Sequence, residues 1–446
     1  MELCIEGGKP LVGEIEVPAD KSITHRALML AALADGESCV VARGIGEDNQ
    51  STARVLAGLG VQVCDSADGW LVRGVGAHGL KTSVAALDCG NSGTTMRLIS
   101  GVLTGAGVRA TLVGDASLSR RPMGRVCDPL RKLGGDITGE RDGARELPPL
   151  RSNAGAFKGG QVNLDVASAQ VKSAILLAGV TSGRAVAVRE PSPSRDHSER
   201  MLRAVGAKLA VTREPGGGVL VELGTDTQLG CAQWQVPGDF SSAAFFLAAG
   251  TLVPGSKVTL RNVGVNVTRT GLLDVLEEYG ARIHVSDCRE STGEPVATLT
   301  AESGPLHTKH EGKSPTIVAG AAIPVIIDEL VVLAAIAAQA VGMTEVRDAR
   351  ELRVKESDRV RETVRLLAAF GVQAEERPDG YVVRGPARLT PARVDVGADH
   401  RLALTAAVLA LATPGESVLT GFEVAAVSYP QFAAVLERLG AHVRYA

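Results

Sequence analysis

Aromatic residues are scarce in this chain: seven Phe, four Tyr and two Trp among 446 residues. That scarcity argues against platforms for stacking nucleic-acid bases. Positive charge is not in surplus either, with 47 Lys and Arg against 50 Asp and Glu. Without a basic footprint, no nucleic-acid partner is expected. The cysteines (Cys4, Cys39, Cys64, Cys89, Cys127, Cys231, Cys288) are odd in number, dispersed, and include no CxxC. They read as reduced thiols of a cytoplasmic protein, neither a disulfide frame nor a metal site. The N-terminal stretch alternates like a strand and lacks a charged segment followed by an apolar core, so no secretion signal is expected. One run, Pro315 to Gly342, has the length and apolarity of a membrane span. Asp328 and Glu329 at its centre would be expensive at bilayer depth, which favours a buried helix starting near those acids and no membrane partner.

What is present is a rhythm. Six times an Ala/Leu-rich helical pattern opens out of a polar cluster: Asp20-Lys21-Ser22, Asn91-Ser92-Gly93-Thr94, Ser168-Ala169-Gln170, Asp239-Phe240-Ser241-Ser242, Asp328-Glu329 and Asp399-His400-Arg401. Helix N-termini carry unpaired N–H groups and partial positive charge, so six of them converging would suit a highly anionic ligand. Each unit later shows an amphipathic stretch, a Gly, and an alternating strand, as in VLAGLGVQV (55–63) and LERLGAHVRY (437–445). The Gly fits a helix C-cap. A period of about 70–90 residues suits a small α+β subdomain used six times.

VPAD (17–20) recurs as VPGD (236–239), each just before a polar-headed helix. These read as matched crossings between domains. The expected division is a discontinuous domain of 1–19 plus 239–446 and a second of 20–238, with the binding cleft between them. Segment 140–160 reads as a solvent-exposed turn or short hairpin.

Several clusters have the chemistry for anions. In ADKSITHR (19–26), a helix starting near Ser22 puts Ser22 and Arg26 on one face, with Lys21 just before the cap. That is either a phosphate or carboxylate site, or a capping Ser among solvated charges. The arginines of SLSRRPM (117–123) suit a bidentate anion or form a surface basic pair. Ser168, Gln170 and Lys172 head an apolar helix, and SRDHSER (194–200) adds Ser194 and Arg195. Asp196, His197 and Glu199 read as a solvated helix start. Asp328 interrupts a hydrophobic run and needs a partner or a role. RELRVKESDRV (350–360) puts Lys355 and Arg359 four apart with Glu356 between them. Glu356 is either a proton-transfer group or an ordinary partner of Arg359 on an exposed helix.

Nine segments in order, ADKSITHRALML, GNSGTTMRL, SRRPM, SAQVKSAILLAG, SRDHSERML, GDFSSAAFFLAA, RVKESDRV, ADHRLAL and SYPQF, resemble signatures of the enolpyruvyl transferase family. The resemblance spans the chain. It implies an α+β fold of two globular domains, each of three repeated βαβαββ subdomains in an inside-out barrel-like arrangement, six repeats in all. It implies the branch that joins phosphoenolpyruvate to shikimate 3-phosphate by addition and elimination, as a cytoplasmic monomer with no metal or organic cofactor. Carried over, Lys21 touches both substrates and assists proton transfer. Ser22, Arg26, Ser168, Ala169, Gln170, Ser194 and Arg195 face shikimate 3-phosphate. Gly93, Thr94, Arg121, Arg359 and Arg401 hold phosphoenolpyruvate. Asp328 is the base on the shikimate hydroxyl, Lys355 lies against the same ligand, and Glu356 is the acid/base for the methylene carbon.

The chain departs from the family pattern at Ala19 (usually Gly), at Ala169 (often Ser), and at Val427-Ser428-Tyr429-Pro430, which lacks an expected Lys. The sister branch acting on UDP-N-acetylglucosamine would carry a Cys in place of SLSRRPM and a Lys-Asn pair in the first motif; neither is here. A non-catalytic anion-binding relative would have lost Asp328, Glu356 and Lys21, and all three are present.

Overall fold

Six helices run inside the protein: α1 (Lys21–Leu33), α2 (Gly93–Ala106), α3 (Ala169–Ser182), α4 (Phe240–Leu252), α5 (Leu330–Ala337) and α6 (His400–Ala412). Their Ala/Leu-rich sequences leave few polar side chains to solvate, so almost every residue beyond the first turn is buried. Five begin at a short polar cap. The N–H groups of Ile23, Thr95, Val171, Ser241 and Arg401 donate to the side chains of Asp20, Ser92, Ser168, Asp239 and Asp399. These bonds satisfy orphan donors that would otherwise be buried. The exception is α5, where Glu329 at the cap position makes no such bond. The computed structural model describes residues 1–310 and 312–446.

Six amphipathic helices cover the buried ones. Each ends at a glycine (Gly60, Gly134, Gly206, Gly280, Gly371 or Gly440) with φ between 72° and 97°. A side chain there would strain the backbone, so Gly sets the stop and turns the chain into the next strand.

Among the described residues the strands form six sheets of four. In one, Leu87–Asp88 runs parallel to Ala110–Val113, which pairs antiparallel with Arg145–Ser152, which pairs antiparallel with Ile137–Asp142. Strand, buried helix, strand, covering helix and hairpin make one βαβαββ repeat. Three repeats borrow a distant strand. Gln233–Gln235 completes the sheet of Asp35–Val41, Val12–Glu16 that of Lys257–Gly264, and Glu2–Gly7 lies between Gly415–Thr420 and His442–Tyr445.

The chain divides into two compact units. Unit 1 is Met1–Pro18, Gly238–Arg289 and Pro295–Ala446; unit 2 is Ala19–Pro237 with Glu290–Glu294. The short segment 290–294 was expected in the discontinuous domain and belongs with unit 2 instead, where Glu294 Oε1 lies 2.8 Å from His197 Nδ1. Each unit holds three sheets and its own apolar core, with no core residue in common.

Segment 140–160 forms a hairpin, but not a solvated one. Its strand Arg145–Ser152 lies inside the sheet and buries Glu146, Pro148, Leu150 and Ser152 on one face. The apolar run 315–342 is divided into a strand (Thr316–Val318), a short helix (Ile323–Ile326) and α5. Segments Gly320–Ile326 and Leu330–Ala337 meet at 106°, and together have the composition of a broken span. Every residue of α5 is buried in the core of unit 1. Among the described residues, no single helix is long and apolar enough to cross a membrane.

Candidate active site

Unit 2 gathers donors at the starts of α1, α2 and α3. Asp20, not Ser22, caps α1, and Lys21 is the first helical residue rather than the one before the cap. Lys21 Nζ pairs with Asp48 Oδ2 at 3.0 Å. Burial would raise the Asp48 carboxyl, but the charge and hydrogen bond of Lys21, with His25 and Arg121, together hold it below the usual carboxylate range. Arg26 is 4% exposed. It donates to Ser198 Oγ and Ser173 Oγ, each at 2.8 Å, and to the Ser22 carbonyl at 2.9 Å. Burial lowers its guanidinium to about 10, which leaves it charged at neutral pH.

At α2, Gln170 Nε2 donates to Thr94 Oγ1 at 2.9 Å, and Arg97 Nη1 donates to Gln170 Oε1 at 2.8 Å. Arg121 Nη2 reaches Asn91 Oδ1 at 2.7 Å, and Asn91 Nδ2 donates to Asp115 at 2.7 Å. Gly93 opens α2 between these groups. At α3, Ser168, Ala169 and Gln170 form the half-buried first turn, and half-buried Arg195 sits just before the helix His197–Ala204.

The structure corrects two sequence readings here, for Lys172 and for His197 with Glu199, and shows what holds Ser194. Lys172 is 1% exposed and lies between Glu190 (2.8 Å) and Glu199 (2.7 Å), so its charge is consumed inside the unit. His197 and Glu199 are buried rather than solvated. The Ser194 hydroxyl donates to both Glu190 oxygens at 2.8 Å, which leaves only lone pairs to offer elsewhere.

Unit 1 assembles a cationic ring around one carboxylate. Asp328 lies 3.8 Å from Arg359 Nη1 and 4.0 Å from both Lys355 Nζ and Arg401 Nη2. Asp328 lies in the break between the two helical segments of the 315–342 run, with its side chain 16% exposed. Arg401 Nη1 donates to the Asp328 carbonyl at 2.8 Å. Arg359 is 1% exposed, held by Asp399 at 2.8 Å and by Glu356 Oε2 at 2.6 Å. Lys355 and Glu356 do not share a helix with Arg359. The helix starts only at Arg359, capped by Asp358, and Glu356 lies in the turn before it. Partial burial would raise the Glu356 carboxyl; Arg359, a backbone hydrogen bond and His400 together hold it below the usual range.

Sequence reasoning missed Asp399 as the clamp on Arg359, Arg97 beside Gly93, and the buried Glu190 that accepts from the Ser168 N–H at 2.8 Å. It also missed Glu329, whose carboxyl accepts from Ser241 Oγ and is raised by burial. Asp399 and Glu329 stood in the helix openings already marked, so position alone pointed to them; Glu190 had no local signal. Among the described residues, no group of three or more His, Cys, Asp or Glu is arranged to hold a metal ion.

The profile of EPSP synthase (3-phosphoshikimate 1-carboxyvinyltransferase) matches residues 5–436. The chain belongs to the EPSP synthase family. A 3-phosphoshikimate 1-carboxyvinyltransferase from a Synechococcus strain is 46% identical over 98% of this chain and 99% of its own. One from Gloeobacter violaceus is 48% identical over 98% of each. Among solved structures, EPSP synthase from Acinetobacter baumannii superposes with a TM-score of 0.88 at 35% identity, covering all of both chains. The EPSP synthase family therefore accounts for the sixfold repeat as well as for the motifs.

Proposed function

We propose that this protein transfers the enolpyruvyl group of phosphoenolpyruvate to the 5-hydroxyl of shikimate 3-phosphate, releasing inorganic phosphate. Membership of the EPSP synthase family supports the reaction. The observation that carries the chemistry is Asp328 among Lys355, Arg359 and Arg401 at 3.8–4.0 Å. Three cations facing one carboxylate make a setting that suits a general base and favours anionic substrates near it.

In this reading Asp328 takes the 5-hydroxyl proton as that oxygen bonds to C2 of phosphoenolpyruvate. Glu356 delivers a proton to C3, giving a tetrahedral adduct with a methyl group. Glu356 then removes a methyl proton, the C2–O bond to phosphate breaks, and the proton held by Asp328 leaves with the phosphate. Arg359 supplies the switch. Its guanidinium, 2.6 Å from Glu356 Oε2, favours the carboxylate form of Glu356. Phosphoenolpyruvate competes for Arg359, so its arrival raises the Glu356 pKa and lets the group carry a proton.

Ser22, Arg26, Ser168, Ala169, Gln170, Ser194 and Arg195 would bind shikimate 3-phosphate, Ser194 after its hydroxyl turns from Glu190, with Lys355 against the same ligand. Gly93, Thr94, Arg121, Arg359 and Arg401 would bind phosphoenolpyruvate, and Lys21 would meet both. The reading includes a cytoplasmic enzyme that acts as a monomer.

The test is phosphate release from phosphoenolpyruvate with shikimate 3-phosphate, run beside UDP-N-acetylglucosamine, for the wild type and Asp328→Asn. Release is expected with the shikimate ester only. The variant should unfold at the wild-type temperature and turn over about 10²–10⁴-fold more slowly. Release with the sugar nucleotide alone would overturn the substrate assignment, and near-normal turnover of Asp328→Asn would overturn its role as base.

A further inference from the structure

Arg97 is a half-buried cation that no carboxylate meets among the described residues. It stands one turn after Gly93 on α2, on the same face. Among the described residues its one side-chain hydrogen bond is to Gln170 Oε1, a neutral acceptor, at 2.8 Å. Among the described residues no acid pairs with it, and the charges that act on it most are two further cations, Arg121 and Arg125. Burial first, and these neighbours second, lower its guanidinium to about 10, so it remains charged at neutral pH. A Cβ added to Gly93 would lie 2.9 Å from Arg97 Nη1 and 3.5 Å from Arg121 Nη1. Two guanidinium groups therefore border the bare backbone of one glycine.

A desolvated cation beside other cations is unfavourable unless an anion arrives. Its neighbour Arg121 differs, because the Asn91–Asp115 pair anchors it. Arg97 has no such anchor and keeps N–H groups without a protein acceptor among the described residues. A guanidinium presents a fork of donors that suits a phosphate or carboxylate.

We propose that Arg97 is a further anion ligand of the phosphoenolpyruvate subsite, contributing with Arg121 across the face of Gly93. The assignment of that ligand rests on the function proposed above; the anion-binding role rests on the uncompensated charge. Holding Gln170 by one hydrogen bond is then the resting state of Arg97, and the ligand is its main partner.

The experiment compares wild type, Arg97→Gln and Arg97→Lys. Gln can still donate to Gln170 but carries no charge; Lys keeps the charge but loses the fork. In steady-state assays Arg97→Gln should raise KM for phosphoenolpyruvate tenfold or more. KM for shikimate 3-phosphate should stay within twofold and kcat within threefold, and Arg97→Lys should fall between wild type and Arg97→Gln. Parallel rises in both KM values would overturn the proposal, because Arg97 would then act only by holding Gln170. Unchanged KM values would overturn it as well. A second readout needs no turnover. In phosphate-free buffer Arg97→Gln should melt no lower than wild type, and its gain in Tm on adding inorganic phosphate should be smaller. An undiminished gain would overturn the anion-binding role even if the substrates had been assigned wrongly.

Discussion

His25 has no exposed surface, and its Nδ1 lies 2.7 Å from Thr52 Oγ1. Thr52 Oγ1 is 2.6 Å from Thr95 Oγ1, which lies 2.7 Å from the Ser92 hydroxyl that caps α2. One imidazole thus ties the start of α1 to the start of α2. Burial, opposed only in part by Asp48, lowers its pKa from 6.5 to about 3. The unfolded chain takes up this proton first. The contribution of a neutral His25 is therefore complete above pH 6.5 and is lost as pH falls toward 3. At about 1.4 kcal/mol per pKa unit, some 3 kcal/mol is at stake between pH 6.5 and pH 4. Chemical denaturation of wild type and His25→Asn across that range should show their stability difference shifting by about that amount in favour of the variant. A difference independent of pH would mean that His25 is not held neutral. Nothing in ADKSITHR marks this role, because a histidine on the inner face of a helix has the same spacing as one on its outer face. Lys21, Ser22 and Arg26 were legible from the same eight letters because their charges and hydroxyl cluster at a helix start.

Helices α2 and α3 lie so close that glycine is required between them. A Cβ on Gly101 would fall 1.9 Å from the Ala174 carbonyl oxygen, and one on Gly105 would fall 2.3 Å from the Ala178 carbonyl oxygen. Gly101→Ala gains about 1 kcal/mol of helix propensity. Against that stands a clash with backbone, which no rotamer can relieve, at a typical cost of about 1–3 kcal/mol or more. The clash should win. Urea unfolding should show Gly101→Ala destabilised, and phosphoenolpyruvate binding should weaken because Thr94 and Gln170 ride on these two helices. A stabilised variant would mean that the helices can separate freely. At this scale, local pattern decides what is readable. Polar clusters ahead of apolar runs placed all six buried helices, and the C-terminal glycines placed their covering partners. The pairing of Val12–Glu16 with Lys257–Gly264 was not readable, because no local periodicity encodes a partner some 240 residues away. The position of Glu356 was misread for a related reason. Its spacing to Arg359 fits a helix, but Asp358 caps the helix after it.

The two apolar cores share no residue, yet the units are not equally able to fold from one piece of chain. All three sheets of unit 2 come from 19–237, including the strand Gln233–Gln235 that completes the first of them. Unit 1 is different, because its chain is interrupted. Strand Glu2–Gly7 is an interior strand, paired on one side with Gly415–Thr420 and on the other with His442–Tyr445. Without it, two strands lose their common neighbour and the buried Leu3 and Ile5 leave the core. Val12–Glu16 is an edge strand, so its loss is less severe. A fragment spanning 19–237 should therefore fold by itself and unfold in one cooperative transition. It lacks Glu294, which costs the buried contact with His197 and so some stability, but no strand. A fragment spanning 238–446 should remain without cooperative structure until a peptide of residues 1–18 is supplied to complete its sheets. Circular dichroism and thermal melts of both fragments, with and without that peptide, would decide the point. Independent folding of 238–446 alone would show that the N-terminal strands are ornaments of unit 1 rather than part of its core. That result would contradict the interior position of Glu2–Gly7, since its two neighbours would have to pair directly, leaving α6 without the apolar side chains of Leu3 and Ile5.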